Sequence, residues 1–184
     1  MTKPNLDHPT LAHLKTRFAD SGLKATEFRG QSAVVVPTRL AHRVLEFLRD
    51  DERCRYDFLS DVTAVDYLGY PAAMPGRFAV VYVLSSTIHN RRLIVKTFLD
   101  PSGDTSGNAE DPTLVLDSVT DLWPGAEWPE REVYDMFGIR FANHPDLRRI
   151  LLWRDFPAFP LRKDYPLRGR GERELYRVVK RDDA

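Results

Sequence analysis

Cysteine is nearly absent from this chain. Cys54 stands alone among 184 residues, so no disulfide can close within it. Neither a four-cysteine zinc ribbon nor a four-cysteine iron–sulfur cluster can be built from one thiol. A lone cysteine fits a reducing compartment, and its expected role is a small packed residue. Net charge is also missing, with 27 Lys and Arg against 27 Asp and Glu, which argues against general polyanion binding. The longest apolar run, Phe78–Leu84, is far short of the roughly 20 residues of a membrane span. The opening MTKPNLDHPT holds no apolar signal-peptide core. Together these absences predict a chain of cytosolic topology, associated with a membrane only through partners. Phosphate-binding glycine loops are lacking too. Neither GxGxxG nor GxxxxGK[ST] occurs, and Gly169-Arg170-Gly171 has Glu174 where a third glycine would stand, so no NAD or flavin pocket is expected here. No GxSxG occurs, and Ser85, Ser86 and His89 fall in a hairpin loop rather than a nucleophile elbow.

What is present suits a domain with an ordinary core: 42% hydrophobic and 11% aromatic residues. The balanced charge hides an asymmetry. Gly138 to Ala184 carries 12 basic and 7 acidic residues, leaving 15 and 20 for residues 1–137. A basic tail on an acidic body favours docking on an acidic surface.

Periodicity predicts a helix over 10–20 with Thr10 as its cap, and short strands at 24–28 and 32–36 about a turn at Arg29-Gly30. A second helix runs from Pro37-Thr38 to Asp50, with Leu40, Val44, Phe47 and Leu48 on its inner face. Strands follow at 57–66, 78–85 and 92–99. Residues 101–112 read as a polar, mobile loop. A short helical turn is expected at 119–123, then a helix from Glu127 to Phe137 with Pro129 in its first turn and Gly138 closing it. Beyond Gly138, Pro145, Pro157, Pro160 and Pro166 forbid any long helix. The fold class is α+β: a small mixed, largely antiparallel sheet with helices packed on it, followed by a largely irregular, extended C-terminal segment. The expected division is an α+β domain over 1–125, a helix over 126–138 and a partner-binding segment over 139–184, with residues from Leu167 onward frayed or ordered by a partner.

The stretch from Trp128 to Leu167 packs charge, aromatics and proline most densely. Glu130, Glu132, Asp135 and His144 suggest a metal site, but Glu130 and Glu132 point about 200° apart on a helix and cannot share an ion. The expected alternative is a solvated or salt-bridged helix face, with Arg131 spaced to pair with Glu127 and Asp135. Arg148, Arg149, Arg154, Arg162 and Lys163, interleaved with Trp153, Phe156, Phe159 and Tyr165, could serve a single-strand nucleic-acid-binding module. Asp146, Asp155 and Asp164 interrupt them regularly, which fits contacts with folded protein surfaces better. A tail folded back on its own domain is the remaining reading.

Residues 123–167 closely resemble the 30 kDa subunit family of respiratory complex I, the C-type subunits of the bacterial NADH:quinone oxidoreductase. The resemblance lies in Trp123-Pro124 and Trp128, in Glu130-Arg131-Glu132-Val133-Tyr134-Asp135-Met136-Phe137-Gly138-Ile139, in His144-Pro145-Asp146-Leu147-Arg148-Arg149-Ile150-Leu151, and in Pro160-Leu161-Arg162-Lys163-Asp164-Tyr165-Pro166. It extends more weakly through 61–67 and 77–99. Two positions depart from the family pattern, both usually glycine: Asn143, which tolerates positive φ and can keep the same turn, and Ala158, which accepts it poorly. The resemblance implies a peripheral-arm subunit on the cytoplasmic side of the cell's inner membrane, without a cofactor of its own. FMN, iron–sulfur clusters and quinone would belong to partner subunits, chiefly the 49 kDa type (D-type) and the iron–sulfur B and I types. Nucleic acid would not be a partner. The expected partner contacts are Glu130, Arg131, Glu132, Tyr134, Asp135, Phe137, His144, Asp146, Arg148, Arg149, Trp153, Asp155, Arg162, Lys163, Asp164 and Tyr165.

Overall fold

A computed structural model describes residues 7–107 and 109–172. Its centre is a five-stranded sheet in the order β1-β2-β5-β4-β3. β1 (Lys24–Phe28) and β2 (Gln31–Val35) form a tight antiparallel hairpin. Its two turn residues, Arg29 and Gly30, have φ of 53° and 80°, the positive pair that matches strand twist in a two-residue turn. β3 (Phe58–Asp66), β4 (Phe78–Ser86) and β5 (Arg91–Leu99) are antiparallel neighbours, and β2 joins β5 in parallel. The mixed, mostly antiparallel sheet expected from the sequence is therefore present.

One face of the sheet carries the core. Val34, Val62, Phe78, Val80, Tyr82, Leu84, Leu93 and Val95 meet Leu14 of α1 (Pro9–Arg17), Val44, Leu45 and Leu48 of α2 (Ala41–Asp50), and Val133, Met136 and Phe137 of α3 (Glu127–Phe137). The alternation of β-branched and aromatic residues along β4 and β5 puts one set of side chains into that layer. Cys54 lies buried in it, and burial pushes its thiol up to about 11, so it packs rather than reacts. Phe47 is only half-buried, and Leu45 takes the place expected for it on the inner face of α2.

Two short strands escaped the sequence reading. β6 (Val115–Asp117) and β7 (Arg140–Ala142) pair in parallel on either side of α3. Three residues are too few to display a two-residue period. This pairing and the shared core run across the expected boundaries at 125 and 138.

Three local expectations need correction. Thr10 does not cap α1. It is buried, with its Oγ1 3.0 Å from the Tyr56 hydroxyl, and His8 occupies the cap position without a side-chain bond. The described residues of the 101–112 segment carry a hydrogen-bonded anchor where only a polar loop was expected. The Asp111 carboxylate accepts hydrogen bonds from Ser102 N–H (2.7 Å), Gly103 N–H (3.1 Å) and Thr113 N–H (2.8 Å), which folds the loop around one buried anion. Burial opposes that charge, but the hydroxyls and amides of Thr113 and Ser102 hold its pKa down at about 2. At the other end, the expected fraying beyond Leu167 is not seen through residue 172. Gly169 N–H reaches Pro166 O, and the Tyr165 hydroxyl lies 2.9 Å from Glu172 Oε1. The rest of that segment lies outside the described residues.

Candidate subunit interface

α3 begins and ends as its sequence requires. Glu127 and Glu130 sit in the first turn, where negative charge suits the helix dipole. Gly138 closes the helix in a left-handed conformation (φ 71°). No Lys or Arg stands in the last turn, so cations for its exposed carbonyls must come from elsewhere in the chain.

They come from the segment after Gly138. Arg149 Nη1 donates to Asp135 O at 3.0 Å, Leu161 N–H to Met136 O at 3.1 Å, and Arg162 Nε to Phe137 O at 2.7 Å. Three consecutive carbonyls at the negative end of α3 are thus satisfied by the irregular strip that follows it.

The Asp135 side chain is the other half of this clamp. It is fully buried. Its Oδ1 accepts from Arg149 Nη1 at 2.7 Å. Its Oδ2 accepts from the N–H groups of Ile150, Leu151 and Leu152 at 3.0, 2.7 and 2.9 Å. Burial alone would disfavour the carboxylate. The guanidinium and the three amides outweigh it and keep the pKa below the ordinary value. Arg149 also donates through Nη2 to Phe156 O and Ala158 O at 2.9 and 3.0 Å, and lies 5.0 Å from the Phe159 ring centroid. Arg131 donates to Arg148 O (3.1 Å) and Arg149 O (3.2 Å) from the helix side. The expected helical ion pairs of Arg131 with Glu127 and Asp135 are therefore replaced by bonds to the strip.

A second ionic layer ties the strip to the sheet. Arg77 grips Asp66 through Nε–Oδ1 (3.0 Å) and Nη2–Oδ2 (2.8 Å), and its Nη2 also reaches Asp164 Oδ2 at 2.9 Å. Thr105 Oγ1 donates to the same Asp164 oxygen. Lys163 N–H donates to Asp66 Oδ2 at 2.8 Å. Asp66 is buried, which opposes its charge, yet Arg77 and the amides of Lys163 and Leu68 together hold its pKa low. Arg162 is 3% exposed. Its Nη1 donates to Thr105 O at 2.9 Å, and its guanidinium stacks 4.4 Å from the Phe159 centroid.

Glu130 occupies a third buried position. Its Oε2 accepts from Ser118 Oγ at 2.7 Å and its Oε1 from Val119 N–H at 2.8 Å. Burial dominates and raises its pKa to about 7. The His144 ring is also buried, and its Nε2 lies 4.0 Å from Glu130. That ring nitrogen donates to Glu127 O at 3.0 Å, while Nδ1 accepts from Asp146 N–H at 3.0 Å. The arrangement fits a neutral imidazole, so the contact with Glu130 is proximity rather than an ion pair.

Of the solvated or salt-bridged face expected for α3, the salt-bridged part holds at Asp135, whose partner is Arg149 rather than Arg131, and the solvated part is corrected. Glu130, Arg131 and Asp135 are buried, Glu127 is half-buried, and of the charged residues of α3 Glu132 alone is exposed. Phe137 is in the core. The structure gathers Asp135, Arg149, Arg162, Asp164 and Tyr134 around the end of α3. It leaves Asp146, Arg148, Trp153, Asp155 and Lys163 on the surface, and Tyr165 half-buried. Sequence reading missed Asp66, Arg77 and Thr105 as partners of the strip. Asp66 lies 97 positions from Lys163, and no local spacing links it, Arg77 or Thr105 to the strip. Asn143 takes φ 63°, the turn expected of it. Ala158 sits buried without a positive φ. Among the described residues no group of three or more His, Cys, Asp or Glu is placed to hold a metal ion, and no helix is long and apolar enough to cross a membrane.

Comparison with known proteins adds to this geometry. The family model described as respiratory-chain NADH dehydrogenase, 30 kDa subunit, matches residues 34–171. The C-type subunit of NADH-quinone oxidoreductase from Citrifermentans bemidjiense is 49% identical over 164 residues, covering 89% of this chain and 91% of that protein. Its counterpart in Brucella ovis is 42% identical, covering 91% and 77%. Among solved structures, the trypsin-resistant fragment of Nqo5 superposes with a TM-score of 0.60 at 32% identity, covering 74% of this chain and 98% of the fragment. A chain of an archaeal membrane-bound sulfane sulfur reductase shares the fold, with a TM-score of 0.64 at 21% identity, covering 95% and 96%.

Gly138 gives the sharpest stability test. A Cβ there would lie 2.5 Å from Arg162 Nη2 and 2.6 Å from the Phe159 ring, at positive φ. Gly138→Ala should cost roughly 2–4 kcal/mol in urea unfolding, whereas Gly125→Ala, which meets nothing within 4 Å, should stay within about 0.5 kcal/mol. Glu130 gives a test in pH. Its folded pKa, about 7, lies above its ordinary 4.5, so its contribution is complete below 4.5 and is lost as pH rises through 7. The lowered Asp66, Asp111 and Asp135 act oppositely, losing stability as pH falls below the ordinary carboxylate range. Glu130→Gln should gain stability relative to the wild type between pH 4.5 and 7, read from denaturation midpoints across that range.

Proposed function

The chain belongs to the respiratory-chain NADH dehydrogenase 30 kDa subunit family, and from that premise we propose that it is the C-type subunit of a proton-translocating NADH:quinone oxidoreductase. In this reading it is a structural and assembly subunit of the peripheral arm, on the cytoplasmic side of the membrane. It holds no cofactor. FMN and the iron–sulfur clusters reside in partner subunits, and electrons pass from NADH through them to quinone without crossing this chain. Its contribution is to fix partner positions. Electron transfer needs its centres at constant separation, and a subunit whose surface is locked by buried ion pairs can supply that rigidity.

The observation that carries this reading is the clamp at the end of α3. Asp135 and Arg149 fix the backbone of the strip, and the Asp66–Arg77–Asp164 layer anchors its far end to the sheet. Contact with partners then falls to what the clamp leaves outside: Glu132, Asp146, Arg148, Trp153, Asp155 and Lys163, with Tyr134 and Tyr165 at the margin. Glu130, Arg131, Asp135, Phe137, His144, Arg149, Arg162 and Asp164 shape the surface from beneath. The partners are the 49 kDa-type (D-type) subunit and the B- and I-type iron–sulfur subunits. The nucleic-acid alternative loses ground because Arg149 and Arg162, two of its cations, are bonded internally.

The test is made on the full-length chain carrying an affinity tag, isolated from detergent-solubilised membranes of its own organism. The chain should comigrate on a native gel with the multi-cysteine iron–sulfur subunits and with NADH:quinone reductase activity. A chain that runs alone, while those subunits assemble without it, would contradict the assignment.

A further inference from the structure

Two apolar side chains near the start of α3 face solvent, although the backbone beneath them is tightly fixed. Trp128 is 67% exposed and Leu151 is 62% exposed. Between them opens a cleft of about 570 Å³ whose lining includes Trp128, Pro129, Ile150 and Leu151. Among the described residues, Glu127 and Glu132 are the only charged ones that line it. Leu151 owes its position to Asp135, which accepts the amides of residues 150–152 and so cannot let that turn collapse inward. Pro129 stiffens the opposite wall. A cleft held open in this way binds without first ordering its own backbone, and an accessible tryptophan beside aliphatic side chains is the composition of an interface anchor site.

We infer that this cleft seats an aliphatic side chain of a partner subunit, on a segment with Lys or Arg flanking that side chain; the inference rests on the subunit role proposed above. Charge decides among the possible occupants. Glu127 and Glu132 rim an apolar floor, so a basic–aliphatic segment is complementary to it. A second copy of this chain, meeting it about a two-fold axis, would bring two such acidic rims together. An anionic bilayer surface would be repelled by the same carboxylates.

The test introduces a photoreactive benzophenone amino acid at Leu151 in the full-length chain, made in cells that assemble the complex. Irradiation of the membranes should yield one principal adduct. Its cross-linked peptide should come from another subunit and carry aliphatic residues with a Lys or Arg beside them. In the Glu127→Lys, Glu132→Lys double variant that adduct should fall about tenfold, as expected for loss of interface contacts. Leu151→Asp should lower the assembled fraction on native gels by a similar factor while the circular-dichroism melt of the isolated chain is unchanged, because Leu151 lies outside the core. An adduct to a second copy, to lipid or to an acidic segment would overturn the inference, as would no adduct from a chain that still comigrates with the complex. That last pattern would leave the subunit role standing. Failure of the unsubstituted chain to comigrate would remove both.

Discussion

One buried carboxylate organises the segment that follows α3. Asp135 is fully enclosed and receives a guanidinium and three consecutive amides. A charge in that position is tolerable only when all its acceptor capacity is used. The requirement fixes the backbone at 150–152 and the rotamer of Arg149. Through Arg149 it fixes the carbonyls of Phe156 and Ala158. A segment that shows no α-helix among its described residues, interrupted by four prolines, thereby acquires a single conformation. Such buried pairs add little stability over apolar packing. What this one supplies is a defined surface.

The second ionic layer extends the same logic to the sheet. Asp66 at the end of β3 fixes Arg77 just before β4. Arg77 in turn holds Asp164, and the Lys163 amide closes on Asp66. Between the two layers Arg162 threads under Gly138, with Phe159 packed on its guanidinium. Only a residue without a side chain leaves room for that approach. The helix end, the strip and the sheet edge are therefore one unit, as the proposed role in fixing partner positions requires.

Regular structure was legible in the sequence wherever a period had room to repeat. The β4–β5 pair, α2, and α3 with its Gly138 cap follow from β-branched and aromatic runs, amphipathic spacing, and a proline in the first turn with a glycine at the end. The three-residue strands β6 and β7 were not legible, since no period fits in three residues. The largest departure concerned charge. Glu130, Arg131 and Asp135 read as a solvated or salt-bridged helix face because acidic and basic residues at four-residue spacing normally are. Their burial depends on Ser118, Arg149 and the 150–152 amides, which helical geometry cannot reveal. One hint did exist: α3 has acids in its first turn and no cation in its last, so Arg149 and Arg162 had an electrostatic vacancy to fill. The family resemblance was carried by the same residues, and its motif is the part of the sequence that builds the clamp.

Amide hydrogen exchange at Ile150, Leu151 and Leu152 in the full-length chain tests the central claim most directly. If Asp135 holds this turn, those three amides exchange as slowly as the amides of β4, and the protection is lost in Asp135→Asn while β4 stays protected. Exchange in the unsubstituted chain as fast as at an exposed loop amide such as that of Arg154 would show that the carboxylate does not organise the strip.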